Sequence, residues 1–503
     1  MVNRVWSSGR WCCGLAIVAL AASQPLAAQQ LPFTYYFPHL AVGASWQTTI
    51  TLINYSTQAV TCQTDFLSDS GSPLMVSFGG GGAVVSRTDI LPPRGSIHVE
   101  TTVGLNDPLT PGWAQARCSG QIKASLLFRR YEAGVAVAEA GVNATTTPAT
   151  RFITFAEQAA GAFGTGVAYA NPSSQSALVT FTARNAAGQT LGSVNKSLLP
   201  GGHDAQNMAP LFGLASFTGS VEITSTVPIV SLSLNAEASP VISSLPAGEV
   251  EASGQGPFTY FFTHLAVGGE WQTVLTYINV SAQTVTCNTN FFSDGFPLSN
   301  PGSPLAIPFG GPAASSRTDI LPAAGSIHVE STADMNAPTV GGWAQATCTG
   351  SVKASLLFRR YAGGVAVAEA GVNATTIPTT KFVTFAEQAT GASGTGLAFA
   401  NPGLNPIVGI AITVFDTAGQ QLASIGDIVF AQSHKAFNLG PVLVTALADK
   451  GITSFIGSIH IVATLPILSL SLNAEASPVV SSLPPGDLDP STPLATSATN
   501  LVE

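Results

Sequence analysis

The chain has 503 residues, 46% of them hydrophobic and only 9% charged, with 27 acidic against 18 basic residues and a net charge of −9. An acidic surface excludes ordinary nucleic-acid binding, which needs Lys and Arg to neutralise phosphates. The apolar content excludes disorder, and the wealth of Gly, Ser, Thr, Ala and Val favours strands and turns over salt-bridged helices.

The chain opens with MVNRVWSSGRWCCGLAIVALAASQPLAAQQ. Arg4 and Arg10 precede a short apolar run, and small residues follow up to Ala28. That order predicts a secretory signal peptide over residues 1–28. The run is too short to span a bilayer, and no later segment does better. A soluble, exported mature chain is the expectation, with no lipid-anchored cysteine.

PFTYYFPHLAVGASWQTTITLINYS from Pro32 returns as PFTYFFTHLAVGGEWQTVLTYINVS from Pro257, and the match continues to SLSLNAEASPV in each copy. Residues 32–248 and 257–486 therefore repeat one unit, with 249–256 as linker. Within each copy ITLINYSTQAV echoes VAYANPSSQSA, setting Asn54 opposite Asn171. The expected modules are 29–148, 149–248, 257–377 and 378–486, with 487–503 as a flexible tail. Each is of sandwich-domain size. Sandwich modules joined end to end fit best, with jelly-roll-like pairs second.

WQTTITLIN alternates Trp46, Thr48, Ile50 and Leu52 with polar neighbours, and QIKASLLFRRY sets Ile122, Ala124, Leu126 and Phe128 against Lys123, Ser125, Arg129 and Tyr131. Both read as strands with one face in a core and the other in water. The stretch SLLFRRYEAGVAVAEAGVNATT at Ser125 recurs at Ser355 with two changes, and it reads as a hairpin around YEAG or YAGG. PVLVTALADKG, residues 441–451, is the best helical candidate and would be a short connector.

After the leader four cysteines remain, one pair per repeat, and in an oxidising compartment they predict disulfides Cys62–Cys118 and Cys287–Cys348. Zinc is disfavoured because no close-spaced ligand pair such as CxxC occurs.

The early NxS or NxP strand end, the LPPRGS turn and the late GWA…SLLF strands resemble the tandem immunoglobulin-like or fibronectin-III-like repeats of secreted bacterial surface proteins. The resemblance implies an all-β fold of four tandem immunoglobulin-like β-sandwich modules, arranged as two duplicated two-module units. It also implies an extracellular scaffold or adhesion role, and it carries no catalytic residue across.

Motifs for chemistry are sparse. HExxH, GxSxG, P-loop and GxGxxG patterns do not occur, and FGGGG at Phe78 lacks the Lys-Ser/Thr of a phosphate loop. The histidines, His39/His264 and His98/His328 among them, read as strand residues satisfied locally. Recurrent acids are Asp89/Asp319, Glu100/Glu330, Glu139/Glu369, Glu157/Glu387 and Glu237/Glu475. A glycosidase needs two such carboxylates about 5–10 Å apart, but both repeats carry them alike, which argues against an active site. No cofactor or metal is expected, and the chain is read as non-enzymatic.

Arg130 has core parity, which predicts an ion pair with Asp89 or Glu139. Arg129 and Tyr131, with Arg359, Tyr361, Trp113 and Trp343, are the candidate ligand surface, where aromatic rings and guanidinium groups can stack on sugars or a partner protein. An extracellular protein or polysaccharide is the expected partner.

Overall fold

In the computed structural model, residues 30–488 are described apart from 80, 103–106, 160–162, 238–241, 246–247, 250–255, 296–300, 390–392, 449, 476–478 and 483–485. The leader at 1–28, most of the linker and residues 489–503 lie outside the described residues.

The first module is built from β1 (Phe33–Val42), β2 (Trp46–Ile53), β3 (Val60–Ser68), β4 (Ser86–Leu91), β5 (Ser96–Glu100), β6 (Thr110–Cys118), β7 (Lys123–Glu132) and β8 (Val135–Asn143). These form two antiparallel sheets, β1-β6-β3-β4 and β5-β2-β7-β8. Alternate residues such as Phe37, Leu52, Phe66, Leu126 and Phe128 fill the space between them. The β7–β8 hairpin forms as the sequence predicts. Its two loop residues, Ala133 and Gly134, have φ of 49° and 81°, the positive values that a tight two-residue turn requires.

The second module contains β9 (Ala149–Ala159), β10 (Phe163–Ala170), β11 (Ala177–Asn185), β12 (Thr190–Leu198), β13 (His203–Asn207), α1 (Met208–Phe212), β14 (Phe217–Glu237), β15 (Ile242–Leu245) and β16 (Gly248–Glu249). The 21 residues of β14 organise it. Their first half pairs with β9 and β11, and their second half with β10 and β15. One sheet thus folds around a core of Phe152, Tyr169, Phe181 and Ile223, and Met208 of α1 is buried against it.

The second repeat reproduces both sheet orders. Its helix α2 (Leu439–Ala448) falls at the predicted connector and packs Leu443 and Leu447 into the core. Asn54, Asn171, Asn279 and Asn401 share one role: each is buried, accepts a backbone N–H two residues on and donates to a carbonyl four residues on. The NxS and NxP echoes are loop braces.

The modules are not strung end to end. The described residues from Leu31 onward belong to one compact unit. Leu232 of β14 enters the first module's core, while Ile53, Tyr55 and Leu127 cluster with Val383, Phe385 and Leu488 of the second repeat. Leu488, placed by the sequence in a flexible tail, is 5% exposed, and Asp487 pairs with Phe382. Glu249, placed in the linker, pairs with Phe152. Burial of the Leu488 side chain and the strand pairing of Asp487 together offset the cost of ordering these residues.

Candidate functional site: two buried guanidinium–carboxylate centres between the repeats

β7 and β8 set Arg129 directly opposite Glu139, and the matching hairpin of the second repeat sets Arg359 opposite Glu369. β8 is almost entirely small residues, VAVAEAGVN, so another strand can approach it closely. β8, β15 and their counterparts Val365–Asn373 and Val479–Ser482 meet in the middle of the molecule.

Arg129 donates from Nε to Glu139 at 2.7 Å and from its Nη2 to Glu387 of the other repeat at 3.1 Å. Asn473 Nδ2 bridges the same carboxylates, 3.1 Å from Glu139 and 2.8 Å from Glu387, and the Ser481 hydroxyl donates to Glu139. The second centre is its mirror in composition. Arg359 donates to Glu369 at 2.6 Å and to Glu157 at 3.0 Å, Asn235 bridges the two carboxylates at 3.2 Å each, and Ser243 donates to Glu369. All six charged groups are at most 5% exposed.

Each centre holds two buried carboxylates and one guanidinium, with the part-exposed Glu100 or Glu330 also 3.8 Å from that guanidinium, so negative charge is in excess in a medium that screens poorly. Burial pushes the Glu387 carboxyl up, against the pull of Arg129 and the Asn473 hydrogen bond and with the push of Glu139; Glu157 behaves alike beside Arg359 and Glu369. His98 stacks on Phe385 at 4.4 Å and His328 on Phe155 at 4.0 Å. Burial and then the neighbouring Arg129 or Arg359 lower both histidines to about 3, so these rings are neutral. A centre of this kind can hold a proton and bind two surfaces together.

The candidate ligand surface does not form. Trp113 and Trp343 are buried and pin the two modules of their own repeat, donating from Nε1 to Gly201 O at 2.7 Å and Gln432 O at 2.8 Å. Arg129 and Arg359 face the other repeat instead of water, while Tyr131 and Tyr361 donate to Glu100 and Glu330. The pairing foreseen for Arg130 belongs to Arg129: Arg130 meets Glu132 at 3.0 Å, and Asp89 meets Arg87 at 2.5 Å. The reason is that the outer face of β2 and β7 is covered, so the residues of that parity are the buried ones.

Cys62–Cys118 and Cys287–Cys348 are bonded, each between neighbouring strands of one sheet in direct register. Among the described residues no group of three or more His, Cys, Asp or Glu is arranged to hold a metal ion. The side chains of Glu237 and Glu475 lie outside the described ones.

Local satisfaction also fails for four histidines, which pair across modules. His39 Nδ1 lies 3.1 Å from His203 Nε2, whose Nδ1 donates to Asp69, and His264, His434 and Asp294 repeat the chain at 2.9 and 2.6 Å. These relays cross from the first module to the second. His39 falls to about 3, chiefly by burial and then by repulsion from His203. A separate cleft of about 1050 Å³ opens between the repeats, lined by Phe33, Gln121, Asn143, Thr146, Asn373 and Thr376 among others.

The fold and centres define an all-β protein of repeated domains, with one disulfide inside each repeat and buried polar contacts between the repeats. No family model matches the chain, and no curated protein matches it. A solved tetra-tandem repeat from the extending region of a large adhesion protein is 11% identical, covering 86% of this chain and 92% of that one, with a TM-score of 0.10. Likeness at that level carries no argument. Among the described residues no helix is long and apolar enough to cross a membrane.

Proposed function

We propose that this is an exported, non-enzymatic scaffold or adhesion protein of the extracellular space or cell surface, built from variants of the immunoglobulin-like sandwich. The β4-β3-β6 and β5-β2 neighbours support the sandwich reading, since they correspond to the C′-C-F and E-B neighbours of that fold. The outer strands β1, β7 and β8 and the disulfide within one sheet are where it departs. Two disulfides are compatible with an oxidising compartment.

One observation carries the non-enzymatic reading: the recurrent Arg, Glu, Asn and Ser side chains are spent on holding the repeats together. Purified protein is tested against extracellular proteins, polysaccharides and a panel of glycoside and ester substrates. The expected result is binding without turnover. Turnover abolished by Glu139→Gln would overturn the reading.

The cleft favours a second reading, carbohydrate binding. Exposed Gln121, Asn143, Thr146, Asn373 and Thr376 there supply the hydroxyl and amide partners that sugars use, with Phe33 beside them. Saccharide binding lost in an Asn143→Ala, Asn373→Ala protein would support it. Binding unaffected by that change would remove the cleft as the site.

A further inference from the structure

The polar contacts at the two centres between the repeats come in twinned pairs. Arg129 reaches Glu387, and Arg359 reaches Glu157. Asn473 and Ser481 bind Glu139, as Asn235 and Ser243 bind Glu369. His98 stacks on Phe385 and His328 on Phe155. Ser96 N–H donates to Thr417 O at 3.1 Å, and Ser326 N–H to Ala186 O at 3.0 Å. Even the tight turns match: Gly419 and Gly188, at φ of 79° and 80°, leave a Cβ no room against the carbonyls of Pro93 and Ala323. The side-chain donors and acceptors at these places are the same residue types in both repeats, while the backbone acceptors Thr417 and Ala186 differ.

A surface on which residue i meets j while the copy of j meets the copy of i is isologous, the contact of a two-fold dimer. Each repeat therefore carries both halves of the face. We propose that the partner this face recognises is a second copy of the same repeat, whichever chain it belongs to. The chain is a two-fold dimer of repeats joined by a linker, and a repeat from a neighbouring chain fits the face as well as the tethered one. What keeps the chain closed on itself is effective concentration, roughly millimolar for a short linker.

Each repeat has its own two cores and its own disulfide, so the face joins bodies with interiors of their own. The face is also dense in charge that must be matched, which makes it selective: a surface lacking the Arg–Glu–Asn set leaves carboxylates buried and unpaired.

The experiment uses the full chain with a protease site in place of residues 250–255, cut to completion as shown on a denaturing gel. Native light scattering is expected to give one species of the uncut mass. Mixing two preparations of cut protein with different tags is expected to yield hybrids carrying both tags. Charge reversal Arg129→Glu is expected to lower hybrid yield at least tenfold, and Glu387→Arg in the same chain to restore part of it. Separate halves after cutting, or halves that precipitate, would overturn the proposal. So would association indifferent to Arg129→Glu.

Discussion

Replacing Arg129 by Met removes the guanidinium that touches both Glu139 and Glu387 and leaves the two carboxylates with the Asn473 bridge between them. Breaking a buried pair in this way costs about 3–5 kcal/mol. Part of that cost is relieved if the facing acid becomes an amide. Glu387→Gln, added to Arg129→Met, is therefore expected to recover about 2 kcal/mol. Glu157 belongs to the other centre, where Arg359 pairs it, so Arg129→Met and Glu157→Gln should add within about 0.5 kcal/mol. Urea titration followed by the fluorescence of buried Trp113 and Trp343 reads all six proteins of the two cycles. Equal coupling of Arg129 to Glu387 and to Glu157, or none to either, would refute the assignment of two separate centres spanning the repeats.

Acidification from pH 7 to 5 should destabilise the fold. His39, His98, His328 and His460 have folded values of about 3, so their contribution is complete above the unfolded value of about 6.5 and is lost as pH falls towards 3. At pH 5 each costs about 2 kcal/mol. Glu157 and Glu387, raised in the fold, run the other way and return part of this as pH falls; a urea midpoint flat between pH 7 and 5 would contradict the neutral buried rings. Cys62→Ala with Cys118→Ala opens a loop with a sequence separation of 56 and should cost about 4 kcal/mol, and an unchanged melting temperature would count against it. Ala133→Gly relieves a left-handed alanine where the second repeat already has Gly363, and should raise stability by about 1 kcal/mol; a loss would show that Ala133 packs in a way its position does not suggest.

Strand period, the duplication, the β7–β8 hairpin and α2 were all legible, because each depends on neighbours in sequence. The site was not, because period reports alternation and is silent about what covers the second face. Alternation by itself places Arg129 and Arg359 on the water face. A signal did exist: Leu127 and Leu357 sit on the same face as the arginines and are fully buried, as are Ile53 and Ile278 on the strands beside them. An apolar residue on the polar parity of two neighbouring strands, in both copies, marks a face that something covers. The run VAVAEAGVN, too small to fill a core by itself, was the second signal. The His39–His203 relay had none, since its partners come from different modules with no shared pattern.

The distance along the chain between partners in the two centres bears on how the protein folds. Arg129 waits for a residue 258 positions later, and Glu139 for two that lie 334 and 342 positions away. A first repeat whose own cores pack before the second is in place carries an open face with a guanidinium and two glutamates in water. Loop closure over such spans is slow relative to local strand pairing. During that interval the charges keep the face hydrated, and so protect it from sticking to the wrong surface until its own sequel has been made.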